Sequence, residues 1–134
     1  MVLRSCSYGK PTLTMLTVKD GKTVGDLMAD DVSLVYIFKQ GLVILTGCSH
    51  AGIISIIEAA KQITGINDVN AVIGGFHLID AEDERINKTV GELAALSSGM
   101  IYIGHCTGLR AETKLLQEFG NQFEKFYTGM TITI

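Results

Sequence analysis

Two styles of hydrophobic patterning divide the chain. Before residue 41 the apolar positions tend to alternate. Thr12-Leu13-Thr14-Met15-Leu16-Thr17-Val18 has the period of two expected of a half-buried strand. Asp20-Gly21 follows as a turn. Val24 to Asp31 reads as at most one short helical turn, and Ser33 to Phe38 as a second strand. Gln40-Gly41 then marks a hairpin into Leu42-Val43-Ile44-Leu45-Thr46, a continuous apolar run of the kind covered on both faces.

Beyond that run the period lengthens. Ile53, Ile56, Ile57 and Ala60 line one face of a predicted helix over 53–64, and Gly65 supplies its stop. Ala71-Val72-Ile73 is a short buried strand. Ile86, Val90, Leu93 and Leu96 are spaced for one face of an acidic-started helix over 82–96. Met100–Ile103 is the next strand, 111–119 a helix ended by Gly120, and 123–127 and 130–134 two closing strands around Gly129. This β-α-β-α-β-α-β order implies an α/β domain with parallel strands joined by right-handed crossovers. Residues 1–134 read as a single domain, and 1–11 as a poorly ordered start.

Composition narrows the class. Of 134 residues 47% are hydrophobic and 19% charged, too apolar for a disordered chain. The net charge of −3 gives no basic footprint for nucleic acid. No apolar run approaches the roughly 20 residues of a membrane span. Cys6, Cys48 and Cys106 are an odd number, with no apolar stretch behind the first residues, so reduced thiols in a cytoplasm are expected. Fifteen glycines against one proline point to many tight turns.

The candidate chemistry lies in the histidines. His50, His77 and His105 are all the histidines there are, and each follows an apolar strand and a glycine: Thr46-Gly47-Cys48-Ser49-His50, Ile73-Gly74-Gly75-Phe76-His77 and Ile103-Gly104-His105-Cys106. They are 27 and 28 residues apart, about one βα unit. Loops at the carboxyl ends of parallel strands share one edge, where ligand sites form. Three imidazoles delivered there can converge on a divalent metal with an open position. Cys48 and Cys106 add two possible thiolates, favouring zinc or iron over magnesium. A single histidine at a strand end is ordinarily a capped or surface residue, and buried cysteines commonly act as small hydrophobes. The repetition is what raises the metal reading. Asp80, Glu82, Asp83 and Glu84 form an acidic run that suits a helix N-terminus, with Asp80 near enough to reach a metal or substrate.

Other chemistries compete at the first loop. Gly47-Cys48-Ser49-His50-Ala51 nearly matches the Gly-x-Ser-x-Gly nucleophile elbow, and Ser49, Asp80 and His105 follow the chain order of a hydrolase triad. Its last glycine is replaced by Ala51, and no glycine-rich oxyanion loop precedes it. A Cys48 thiol mechanism has only proximity to a histidine behind it. No dinucleotide, Walker or Cys-x-x-Cys motif is present.

The three loops together, Thr46-Gly47-Cys48-Ser49-His50-Ala51-Gly52-Ile53, Gly74-Gly75-Phe76-His77-Leu78 and Gly104-His105-Cys106-Thr107-Gly108 with Ala111, resemble one branch of the metallo-β-lactamase-fold hydrolases. That branch includes dihydropterin–ribofuranosyl-aminobenzene phosphate synthase-like proteins, linked to methanopterin biosynthesis. The resemblance runs from about residue 20 to 134, with Ser55 where the family commonly has Asn. It implies an αββα sandwich of two facing halves. The family's His-x-His-x-Asp-His motif is absent here, so the chain looks like the second half of that fold, a mixed sheet with βα units.

The resemblance further implies metal-dependent hydrolysis, or a related transfer, of a small phosphate- or ester-bearing molecule. Cys48, His50 and His105 are then the expected metal ligands, Cys48 standing where the superfamily often has a bridging acid. His77 is expected to orient substrate or complete the coordination. Zinc is the first expectation for the metal, with iron or manganese as alternatives. The chain alone is expected to be inactive or weak. It should need self-association or a partner chain supplying the missing half. The alternatives are a non-catalytic interaction domain or split-enzyme subunit, and a serine hydrolase using Ser49.

Overall fold

The computed structural model describes residues 2–4, 16–26, 28, 30–39, 41–97 and 99–134. A short strand β1 (Val2–Arg4) lies within the segment expected to be poorly ordered. The rest of residues 1–11, with Cys6, is outside the described residues. A hairpin of β2 (Leu16–Lys19) and β3 (Lys22–Gly25) stands apart from the main sheet. Its turn is Asp20-Gly21 with φ of 52° and 72°, the left-handed pair that matches strand twist. Residues 12–15 of the predicted first strand are outside the described residues. β3 replaces the start of the short helical turn expected at 24–31: Lys22–Gly25 pairs in register with Leu16–Lys19, and cross-strand pairing outweighs the weak local preference.

The main sheet has six strands among the described residues. β1, β4 (Val32–Phe38) and β5 (Gly41–Thr46) are antiparallel neighbours. β6 (Val69–Gly74), β7 (Met100–Ile103) and β8 (Phe123–Lys125) then extend β5 in parallel. Helices α1 (Ile53–Thr64), α2 (Asp83–Leu96) and α3 (Leu109–Phe119) make the three crossovers. Each crossover moves one strand further in the same direction. With a constant right hand, all three helices therefore fall on one face, where α2 packs against both α1 and α3.

The helical periods find their partners on that face. Ile53, Ile56, Ile57 and Ala60 of α1, Ile86, Val90 and Leu93 of α2, and Ala111, Leu115 and Phe119 of α3 are buried against Val35, Leu42, Ile44, Val72, Ile101 and Ile103 of the strands. Each large side chain fully buried this way stabilises the fold by about 1.5–3 kcal/mol. Gly65 ends α1 in the left-handed conformation, its N–H donating to the Lys61 carbonyl. Asp83 and Glu84 place negative charge in the first turn of α2.

The opposite face is covered unevenly. Val43, Ala71 and Tyr102 pack there under Phe126, Met130 and Ile132. The expected strand over 130–134 does not form. The alternating pattern of that segment is real, with Met130 and Ile132 half-buried between exposed neighbours, but it reports contact with the sheet's surface instead of membership of the sheet. Gly129, at φ 89°, turns the chain toward that face. Toward β4 the cover ends: Val32, Leu34, Tyr36 and Leu45 are exposed. Leu34 lies opposite Leu45, and Tyr36 opposite Val43, on the strands' shared face. No helix among the described residues is long and apolar enough to cross a membrane.

Candidate metal centre

The site begins with register. Leu45 pairs with Ile73, Ile73 with Tyr102, and Gly74 with Ile103, so β5, β6 and β7 end at nearly the same level. Their carboxyl-terminal loops, 47–52, 75–79 and 104–108, share one edge of the sheet. The sequence predicted this placement from the order of strands and helices alone.

Backbone bonds tie the three loops to one another. Gly75 N–H donates to the Gly47 carbonyl at 2.8 Å, and Leu78 and Ile79 N–H both donate to the Cys106 carbonyl at 3.2 Å. The buried Thr107 hydroxyl donates to the Gly104 carbonyl at 2.9 Å and accepts the Phe76 N–H at 3.1 Å. Side-chain oxygens thereby satisfy backbone groups that lie in no strand or helix. Ser49, His77 and His105 hold positive φ, of 56°, 46° and 56°. Each loop thus contains one non-glycine residue in the left-handed region, a conformation that persists only where surrounding contacts enforce it.

Glycine is required at the closest approach. A Cβ on Gly75 would lie 2.8 Å from Cys106 Sγ and 3.0 Å from the Gly47 carbonyl oxygen. A Cβ on Gly74 would collide with the Thr46 carbonyl oxygen, at a φ of 153° that also disfavours other residues. These two glycines let the second loop lie directly against the first and third.

Two clusters result. In one, donor atoms of Cys48, His105 and Cys106 lie within 4.8 Å of one another, close enough to share a cation. Cys48 and Cys106 are half-buried and His105 is exposed. The Cys106 thiol donates to the Cys48 carbonyl at 3.7 Å. Burial, reinforced by the Cys48 thiol, pushes Cys106 up to about 11. Two sulfurs and an imidazole are a donor set that suits zinc, and three protein ligands leave a fourth position open.

In the other cluster the His50 and His77 rings meet edge to face, 4.6 Å between centroids. Asp31, just ahead of β4, accepts the His50 backbone N–H at 2.8 Å and lies 3.6 Å from His50 Nδ1. The Nδ1 atoms of both histidines are buried without a hydrogen-bond partner. Burial of the ring, with the neighbouring His50 and Arg85, holds His77 below the ordinary histidine value, so it is neutral at pH 7.

The structure thus brings Cys48 and His105 together and adds Cys106 to them. It sets His50 beside His77. Asp31 escapes a reading of the sequence, because an acidic residue before a strand carries no pattern of its own. Asp80 is exposed, and its charge acts on His77 in the direction opposite to burial. Ser49 is fully buried, donating to the Gly75 carbonyl at 2.7 Å and lying 3.1 Å from Thr46 Oγ1. Its hydroxyl is committed to holding loops together, which leaves no exposed nucleophile at the near-elbow.

Comparison with known proteins bears on the fold and its family. No family model matches the chain. Over 123 residues it is 44% identical to a 7,8-dihydropterin-6-methyl-4-(beta-D-ribofuranosyl)-aminobenzene-5'-phosphate synthase of Methanocaldococcus jannaschii, a match covering 92% of the chain and 42% of the relative. An uncharacterized protein of the same organism is 38% identical over 117 residues, covering 87% of the chain and 42% of that relative. The chain therefore spans less than half the length of either. Among solved structures, the crystal structure of a metal-dependent hydrolase of the beta-lactamase superfamily superposes with a TM-score of 0.82 at 28% identity, covering 99% of this chain and 56% of that one. With three loops converging on one sheet edge, and both sequence and fold matched to these relatives, the chain belongs to the metallo-β-lactamase superfamily and carries part of its fold.

Proposed function

We propose that the chain is the second half of a metal-dependent hydrolase acting on a small phosphate- or ester-bearing molecule, with the half bearing His-x-His-x-Asp-His supplied by another chain or segment. The observation that carries this reading is the convergence of Cys48 and His105, from two different strand ends, in a fold shared with a metal-dependent hydrolase. When bound there, a divalent cation would polarise a carbonyl or phosphoryl oxygen and acidify a water ligand. Cys48 and His105 would hold it from this side. His77, kept neutral by its surroundings, offers an imidazole that orients substrate or accepts a proton, and His50 backs its ring. The Asp31 carboxylate fixes the backbone of the His50 loop. Zinc fits the sulfur-bearing donor set better than manganese.

The uncovered sheet face supports the need for a partner. Val32, Leu34, Tyr36 and Leu45 form an exposed apolar stripe of the kind that soluble proteins cover. In this reading the complementary half lies over that stripe and brings its own ligands to the same edge. A second copy of this chain is the other occupant to test.

The experiment mixes the purified chain with a segment carrying His-x-His-x-Asp-His, and assays model phosphate monoesters, phosphate diesters and carboxylic esters with zinc. Hydrolysis by the mixture, abolished by a chelator and by His105→Ala, supports the reading. A metal-loaded complex of both parts that turns over none of these substrates overturns it.

A further inference from the structure

We propose that Cys106 is a metal ligand and that Cys48, His105 and Cys106 form a thiolate-rich site which this chain assembles without its complementary half. The proposal rests on the reading that these loops hold a metal, but it assigns a residue that the hydrolase reading does not need.

The geometry favours one ion held by all three. Ligand atoms around a tetrahedral zinc, at its usual bond lengths, stand about 3.5–4 Å apart. The three donors already lie within 4.8 Å of one another, so small side-chain adjustments close the site. Cys48 is delivered by the loop after β5, His105 and Cys106 by the loop after β7. The loop after β6 contributes no ligand, yet completes the enclosure: the missing Cβ of Gly75 makes the space that Cys106 Sγ fills.

The donor set also decides the class of ion. Two thiolates with one imidazole select zinc, or cobalt as its spectroscopic substitute, over magnesium and manganese. The exposure of His105 leaves the fourth position facing solvent. The site is therefore open to an exogenous ligand, as in catalytic zinc sites, and is not closed like a structural one.

Cobalt titration of the full, chelator-treated chain tests this without any activity measurement. The expected result is near-ultraviolet thiolate-to-cobalt charge transfer with intense tetrahedral visible bands, undisturbed by excess magnesium. Cys106→Ser should weaken cobalt binding at least tenfold and remove about half the charge-transfer intensity, while Gly91→Ala, in open space on the exposed face of α2, leaves both unchanged. Cys106→Asp, which keeps a ligand but not a thiolate, should restore binding without restoring the lost intensity. Circular dichroism melting confirms that each variant is folded. Unaltered charge transfer and affinity in Cys106→Ser overturn the role of Cys106 and leave Cys48 and His105 as ligands. A wild-type chain that binds no cobalt overturns self-assembly of the site, while the hydrolase reading, with its further ligands from the other half, stands.

Discussion

The Ser49 hydroxyl donates to the Gly75 carbonyl at 2.7 Å, across 26 residues of sequence and between two separate βα loops. This bond, wholly buried, fixes the distance between the loop that carries Cys48 and the loop that lies against Cys106. It also gives the Ser49 position its meaning: the residue has the sequence context of a nucleophile and the structural role of a rivet.

Ser49→Ala leaves the Gly75 carbonyl without its side-chain partner. The loss of a buried hydrogen bond of this kind costs about 1–3 kcal/mol. Denaturant unfolding should show a lower midpoint with an unchanged slope, and a fluorophosphonate probe should fail to label Ser49 in the wild-type chain. Labelling of Ser49 would revive the serine-hydrolase alternative.

Gly75→Ala tests the close approach of the second loop. The added methyl meets Cys106 Sγ at 2.8 Å and a backbone oxygen at 3.0 Å, so sulfur and loop must move. Overpacking of this order costs about 1–3 kcal/mol. Zinc affinity measured by competition with a chromogenic chelator should fall more than tenfold. Gly91→Ala, in open space on the exposed face of α2, should leave it unchanged.

Cys106 should show the pH behaviour of a thiol that burial keeps protonated. Its value moves from 9.0 to about 11, so near pH 8 its thiolate fraction is about a hundredfold below that of an ordinary cysteine. Site-resolved alkylation of the metal-free chain by iodoacetamide, read by mass spectrometry, should be slow at Cys106 and accelerate until the pH passes about 11. Because the folded state keeps this proton longer than the unfolded one, the contribution is intact below pH 9. Stability then falls as pH rises through the window from 9 to about 11. Metal binding must displace the same proton, so zinc affinity should rise with pH and zinc should block alkylation altogether.

The disposition of the strands was legible because local and global signals agree from residue 41 onward. Apolar spacing set α1 over Ile53–Thr64 and β7 over Met100–Ile103, and the strand–Gly–His repeat set all three loops on one edge. What escaped the sequence depends on contacts between distant residues. Lys22–Gly25 becomes a strand only through pairing with Leu16–Lys19. The alternation at 130–134 could not distinguish lying in a sheet from lying on it. Within the site, three loop histidines looked equivalent in one dimension. The positive φ at His77 and His105 and the packing of Gly75 against Cys106 sort them: His50 faces His77, while His105 joins the two cysteines. Asp31 was invisible because nothing but the folded chain brings residues 31 and 50 together.

The central claim is that this sheet edge is a metal centre with sulfur ligands, and X-ray absorption spectroscopy of the zinc-loaded chain tests it most directly. The zinc edge spectrum should fit two sulfur scatterers at about 2.3 Å with nitrogen or oxygen ligands at about 2.0–2.1 Å. In Cys48→Ser one of the two sulfurs should be lost. A spectrum fitted by nitrogen and oxygen alone would contradict the account.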